Sequence, residues 1–321
     1  MSRHARQMQL PEIGAAGQAR LAAAHVLVVG AGGLGCPVLS YLGGAGVGHL
    51  TVIDPDHVEL GNLHRQPLYS MDDLGQPKAD AARQRLLAAN PDLQITALVA
   101  PLGPDTAPDL IAAADLVVDA ADSFAVSYIL SDICLAQDRP LISASVLGQA
   151  GYVGGFCGGA PSLRAVFPDL PERGATCATA GVMGPAVGMI GAMQAQMALQ
   201  VLLGQDRSPL GQLLHVDALG WQMGGFRFDG APEPENPVPF LSRADFAPQD
   251  QVIDLRPMDE APVAASPNAR RLLPEDLRTA DLDLTRRVVL CCASGLRAWH
   301  GAHVLRARGV TDLALWAAQS G

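Results

Sequence analysis

The sequence predicts an α/β protein in which helices cover both faces of a mostly parallel sheet, followed by a second, smaller α/β unit. Two observations carry this. Short β-branched runs alternate with helix-like segments from position 26 to about position 203, and such alternation gives parallel strands joined by crossover helices. An acidic, proline-rich stretch at 229–239, DGAPEPENPVP, then interrupts the pattern, after which strands and a helix resume. At 321 residues, with 49% hydrophobic and 17% charged, the chain has room for a large buried core and a small appended unit.

In order, 26–29 is a strand that ends in Gly30-Ala31-Gly32-Gly33-Leu34-Gly35, 37–44 a helix, and 50–53 a second strand closed by Asp54. This βαβ unit is Rossmann-like. A helix over 79–89 stops at Asn90-Pro91, a strand follows at 95–99, a helix at 105–114 and a buried strand at 116–120. A helix at 127–137, strands at 140–146 and 151–157, and a long apolar helix at 185–203 complete the first unit, expected over 1–228. Residues 229–239 are expected as a linker. The second unit, 240–321, has strands at 252–255, 288–290 and 313–316, a loop over 291–297 and a helix over 298–308.

Charge and cysteine content narrow the function classes. A formal net charge of −10 argues against a nucleic-acid or anionic-membrane partner. Six cysteines without a Cys-x-x-Cys pair read as reduced thiols rather than a disulfide framework. The first 21 residues have no apolar run, so no secretory leader is expected, and a cytoplasmic location follows. The most hydrophobic stretch, 182–203, is broken by Gln194, Gln196 and Gln200, which suits a buried helix better than a membrane span.

The spacing Gly30-x-Gly32-x-x-Gly35 after a strand brings a helix N-terminus to a phosphate, with Asp54 placed to accept from a ribose. Both NAD and ATP fit so far. Asn62, Arg65 and Lys78 follow in the next segment, and Lys78 is the one lysine of the chain, every other basic residue being arginine. A triphosphate needs such cations and a nicotinamide dinucleotide does not. Asp122, past the 116–120 strand, adds a carboxylate that beside phosphates implies Mg²⁺. ATP therefore fits better than NAD.

Arg3-His4-x-Arg6-Gln7, the Gly-Ala-Gly-Gly-Leu-Gly-Cys run, Ala45-Gly46-Val47-Gly48, Asn62-Leu63-His64-Arg65-Gln66, Gly75-Gln76-Pro77-Lys78 and Thr176-Cys177 with Ala180-Gly181-Val182 together resemble the MoeB/ThiF family, bacterial relatives of ubiquitin-activating enzymes. The resemblance spans roughly residues 3–204. It implies ATP-dependent adenylation of the C-terminal glycine of a ubiquitin-like sulfur-carrier protein ending in Gly-Gly, in molybdopterin or thiamine biosynthesis or tRNA thiolation. It assigns Gly33 to the phosphate loop, Asp54 to the ribose, Asn62 and Arg65 to the phosphates, Lys78 to the triphosphate and its transition state, and Asp122 to Mg²⁺. Arg6 would reach the γ-phosphate in a partner subunit, which makes a homodimer part of the site. Cys177 would link covalently to the carrier. Asp122-Ser123 replaces the usual Asp-Asn, and Gly61-Asn62 the usual Ser-Asn. Many relatives hold a structural zinc with two Cys-x-x-Cys pairs. Ser162-Leu163-Arg164-Ala165 stands in place of the first and the second is missing from 221–235, so no zinc is expected, with apolar packing around Val166 and Phe167 in its stead. A nicotinamide oxidoreductase and a non-catalytic carrier-binding scaffold are the competing readings.

In the second unit, Cys292-Ala293-Ser294-Gly295-Leu296-Arg297 before a helix resembles a rhodanese active-site loop, and Val252-Ile253-Asp254-Leu255-Arg256 the Asp-x-Arg strand of that fold. The resemblance implies a truncated rhodanese-like unit in which Cys292 and Arg297 carry sulfane sulfur. A second register, Cys291-x5-Arg297, matches cysteine phosphatases; Cys291 is better placed as a buried strand residue. Met189, Met193 and Met197 fall at helical spacing and are expected in the core or a dimer contact, with a carrier-binding groove as the alternative, and His57, His215 and His300 are given no role.

Overall fold

A computed structural model describes residues 3–170 and 181–318, and its strands form two sheets. The larger holds β1 (His25–Val29), β2 (His49–Ile53), β3 (Gln94–Leu98), β4 (Leu116–Asp119), β5 (Leu141–Leu147), β6 (Ala150–Phe156), β7 (Gln212–Asp217) and β8 (Gln222–Arg227), in the order β3-β2-β1-β4-β5-β6-β7-β8. The first five run parallel; β5 to β8 pair antiparallel. All four residues of β4 are buried, as a central parallel strand covered on both faces requires. The order reverses between β1 and β4, and ligands bind at such a switch point, outside the C-terminal strand ends.

Two apolar layers cover this sheet. On one face α2 (Gly35–Ala45) and α7 (Gly184–Leu203) pack together. Of the methionines on α7, Met197 is buried, and Met189 and Met193 pack against that layer half-exposed. The helix is long and apolar enough to cross a membrane, yet it buries Ile190, Gly191, Gln194, Ala195 and Ala198 inside the protein. Gln194 is fully buried and donates to the Asp119 carbonyl at 2.7 Å. On the opposite face lie α4 (Ala107–Ala113) and α5 (Phe124–Ala136).

Further elements are absent from the sequence reading, the short α6 (Leu163–Val166) among them. α1 (Gly14–Ala23) packs on α7; β7 and β8 extend the sheet as a hairpin; and β10 (Arg270–Arg271) joins the smaller sheet. That sheet, β10-β9-β11-β12, adds β9 (Gln251–Asp254), β11 (Val288–Cys292) and β12 (Leu313–Ala317), all parallel, with α8 (Leu296–Ala307) against it.

The core on the α5 face runs without a break into this second unit, joining Ala125, Tyr128 and Phe156 to Phe240, Leu255, Leu290 and Trp299. Tyr128 and Trp299 lie 5.5 Å apart by ring centroid. The buried Arg164, on the short α6 (Leu163–Val166), places its guanidinium 4.6 Å from the Tyr128 ring and 5.3 Å from the Trp299 ring, and pairs with both carboxylate oxygens of Asp132 at 2.6 and 2.8 Å. The stretch at 229–239 is fastened rather than free. The Glu233 carboxylate accepts from the Ser162 amide at 2.7 Å and the Ser162 hydroxyl at 2.5 Å, and the Val238 carbonyl accepts from Arg164. Apolar packing at Val166 and Phe167 is present, with Tyr152 and Phe167 rings 4.9 Å apart, and Glu233 adds a polar tie that the sequence did not signal.

Candidate active site

The chain turn after β1 is tight because two glycines permit it. Gly30 has φ +96°, and a Cβ there would sit 2.6 Å from the Ala120 carbonyl oxygen at the end of β4. A Cβ on Gly35 would meet the Gly30 carbonyl oxygen at 2.1 Å. Gly32 is open, with only Gln66 Nε2 nearby at 3.6 Å, while Gly33 leaves room between Val187 and the Arg65 backbone and side chain. The loop therefore delivers the start of α2 to the sheet's C-terminal edge, where the Cys36 and Val38 amides are bonded to the Gly32 and Leu34 carbonyls and the amides of Gly32, Gly33, Leu34 and Gly35 have no partner among the described residues.

Asp54, at the end of β2, is buried and accepts the Ala31 amide at 2.7 Å and the Asp56 amide at 2.8 Å. Burial pushes its carboxyl above the ordinary range, against the pull of the Ala31 amide and the Lys78 charge. Residues 57 and 77 pair as an antiparallel bridge, Val58 and Gly75 or Gln76 exchange backbone hydrogen bonds, and the Lys78 amide donates to the Asp56 carbonyl at 2.8 Å. This pairing sets Lys78, first residue of α3 (Lys78–Ala89), beside the loop. Its ammonium, 7% exposed, rests on the Asp56 carboxylate at 2.9 Å, which is 65% exposed. Asn62 closes the 3₁₀ turn Leu60–Asn62. A cleft of about 270 Å³ opens between Pro55, Asp56, His57, Glu59, Asn62 and Lys78.

The structure thus gathers Asn62 and Lys78 in one cleft, with Asp54 behind it and Arg65 beside Gly33. Arg65 is held on the Gly61 carbonyl and the His64 ring, both at 3.0 Å. Asp122 is exposed past β4, next to Ser123, which caps α5 without a side-chain hydrogen bond, and neither lines the cleft. Arg6 is exposed at the far end of α2: its neighbour Gln7 donates to the Ala45 carbonyl, about 16 Å along the helix from the glycine loop. Within one chain Arg6 is not part of the site. Cys177 lies outside the described residues. His57, given no role from sequence, lines the cleft, and so does Asp56. The missed signal was the pairing of 57 with 77, which no local pattern announces.

Asp119, at the C-terminal end of β4, is fully buried and accepts from Ser143 Oγ at 2.8 Å and the Ala121 amide at 3.2 Å. Burial pushes its carboxyl from 3.8 up to about 6, with Asp122 adding to the rise and hydrogen bonds opposing it. A folded value above the unfolded one means the folded state binds the extra proton, so this stabilisation is complete below pH 4 and disappears as pH rises through about 6. Asp119→Asn should abolish that slope. Urea denaturation from pH 4 to 7.5 is expected to show the variant gaining about 3 kcal/mol on the parent across the window; a constant difference between the two would contradict it.

In the second unit the strand continues further than its sequence suggests. β11 runs through Cys291 and Cys292, so both thiols are strand residues and both are fully buried, because each is covered by an apolar layer. Burial and the nearby Asp254 push the Cys291 thiol up to about 12, which removes it as a nucleophile. Cys292 Sγ accepts from the Ala298 amide at 3.4 Å, in the first turn of α8. Gly295, at φ +84°, turns the loop so tightly against the first unit that a Cβ would meet the Phe240 ring at 2.8 Å and Ala125 at 3.2 Å. Arg297 pairs with Glu260 and donates to the Leu255 carbonyl at 3.2 Å, while Asp254 holds Arg256 through two bonds of 2.9 Å.

A sequence model of the ThiF family matches residues 4–238. The chain belongs to the ThiF family. Its curated relatives in that family include the sulfur carrier protein adenylyltransferase of Thermus thermophilus, 43% identical over 68% of this chain and 84% of the relative, and the SAMP-activating enzyme E1 of Haloferax volcanii, 38% identical over 68% and 82%. Adenylyltransferase and sulfurtransferase MOCS3 of Sus scrofa is 42% identical over 68% of this ThiF-family chain, which spans about half the length of that relative. Among solved structures, E. coli MccB with ATP superposes with a TM-score of 0.62 at 22% identity, covering 71% of this chain and 72% of that one, a likeness of fold.

Proposed function

We propose that this chain adenylates the C-terminal glycine of a ubiquitin-like sulfur-carrier protein, using ATP and Mg²⁺, as a cytoplasmic homodimer. The observation that carries the reading is the lone lysine of the chain, Lys78, held in a cleft beside a glycine loop, on a carboxylate that water can take over. The residues fit a triphosphate: the loop amides of Gly32, Gly33, Leu34 and Gly35 at the α-phosphate, Asp54 toward the ribose, and Asn62, Arg65 and Lys78 toward the phosphates. Mg²⁺, with Asp122 as its ligand, would neutralise phosphate charge. A carboxylate oxygen of the carrier's last glycine attacks the α-phosphorus. The bond to the bridging oxygen breaks, pyrophosphate leaves, and an acyl-adenylate forms. The relatives' names, which speak of sulfur-carrier and SAMP activation, support the substrate class.

Arg6, remote from its own chain's cleft, is assigned to the cleft of a second copy. The tie from Glu233 to Ser162 joins the segments that zinc joins in other members, and the proposal includes no zinc. Cys177 is assigned to the carrier's activated carboxyl. Sulfur transfer by Cys292 requires the loop at Gly295 to part from Phe240 and Ala125, since the thiol has no exposed surface. Competition between ATP and NADH for the protein, followed by mass spectrometry of β-grasp proteins ending in Gly-Gly from the source genome, tests the proposal. ATP binding with an AMP adduct on one such protein is expected; NADH binding without any adduct would instead favour an oxidoreductase.

A further inference from the structure

The backbone around the cleft closes into a ring. The Ala31 amide donates to Asp54 Oδ2 at 2.7 Å; the Asp56 amide donates to Asp54 Oδ1 at 2.8 Å; and Lys78 reaches Asp56 twice, by its amide to the carbonyl at 2.8 Å and by Nζ to the carboxylate at 2.9 Å. The link back from Lys78 to Ala31 is one hydroxyl. Tyr69 Oη shares its one proton between two carbonyls, donating to Ala31 at 2.7 Å and more weakly to Lys78 at 3.2 Å. Tyr69 is 6% exposed within the α2-side core, and its amide donates to the Gln66 carbonyl, so the hydroxyl is carried by the same segment that holds Asn62 and Arg65. The Cys36 thiol, at 3.7 Å, is the other, weak donor to the Ala31 carbonyl.

We infer that Tyr69 is a positioning residue for the triphosphate: its hydroxyl fixes the distance between the phosphate loop at Ala31 and the start of the helix that carries Lys78. The inference rests on the cleft being the nucleotide site. Lys78 must let go of Asp56 to meet a phosphate, and when it does, one of its two links to Asp56 is lost. The Tyr69 bridge then keeps the Lys78 backbone in register with the loop, so the ammonium swings while its anchor stays. A chain without that hydroxyl would keep both arms but lose their spacing, and charge misplaced by a fraction of an ångström binds polyphosphate less well. The ribose end, held by Asp54, would not feel the change.

The test compares Tyr69→Phe with Tyr128→Phe, which removes the hydroxyl of another buried tyrosine, bonded to the Phe167 carbonyl at 2.6 Å, away from the cleft. Calorimetric titrations with Mg·AMPCPP and with adenosine, below both melting temperatures, read the effect. The expected result is a Kd for AMPCPP raised about tenfold in Tyr69→Phe with adenosine affinity within twofold of the parent, and neither changed in Tyr128→Phe although both variants lose a few degrees of Tm. Equal weakening of both ligands, or no weakening, would show a merely structural tyrosine and overturn the inference. A parent protein that binds adenosine as tightly as AMPCPP would instead overturn the nucleotide reading on which it stands, and this inference with it.

Discussion

Lys78→Ala is expected to lower carrier-dependent exchange of pyrophosphate into ATP by at least about a hundredfold while leaving the fold nearly as stable as before. Both halves follow from the Lys78 environment. The ammonium is 7% exposed and its carboxylate partner 65% exposed, so removing the lysine leaves a solvated Asp56 rather than a stranded buried charge. An ion pair with so exposed a partner contributes about 1 kcal/mol or less. In the proposed reaction the same ammonium would face negative charge building on the leaving pyrophosphate, where the loss of one preorganised donor costs about 10²- to 10³-fold. No other lysine exists to take over, and Arg65 is already assigned its own place at the phosphates. A variant that exchanges within tenfold of the parent would mean that the cleft cation is not used on the triphosphate.

The second large effect is on the loop itself. Gly35→Ala should unfold the turn and abolish nucleotide binding, because its Cβ would lie 2.1 Å from the Gly30 carbonyl oxygen and 2.9 Å from the carbonyl carbon. Backbone atoms cannot step aside, and Gly30 is itself pressed onto Ala120, so the clash passes into β4. A loss of at least about 3 kcal/mol is expected from urea denaturation. Gly32→Ala is the comparison: its Cβ would meet only Gln66 Nε2 at 3.6 Å, an ordinary contact, so stability within about 0.5 kcal/mol of the parent is expected. Equal losses for the two variants would contradict the close-approach argument.

What the sequence disclosed, and what it withheld, separates along physical lines. The β1 strand, the glycine loop, α2 and β2 are legible because buried β-branched runs, glycine spacing and a terminal Asp54 are local patterns, and Lys78 stands out as the single lysine. β8 leaves no trace since all six of its residues are exposed, so no alternation marks it. α1, with two glycines in its first four residues, lacks a helical pattern and is held by packing on α7. The strand through Cys292 is hidden because only pairing with β12, Cys292 against Ala317, extends it past Cys291. The fastening of 229–239 depends on contacts across more than 70 positions, the Glu233 carboxylate finding Ser162 and the Val238 carbonyl finding Arg164. Asp56 and Tyr69 belong to the same class: each acts through a partner that is distant in sequence and adjacent only after folding.

Pyrophosphate exchange with two forms of one carrier addresses the central claim most directly. The cleft is proposed to set magnesium triphosphate against the terminal carboxylate of a Gly-Gly protein, and removal of the last glycine withdraws that carboxylate by about 3.5 Å. Exchange is expected with the intact carrier, and less than one hundredth of it with the shortened one. Equal exchange with both forms, or exchange in the absence of any carrier, would contradict it.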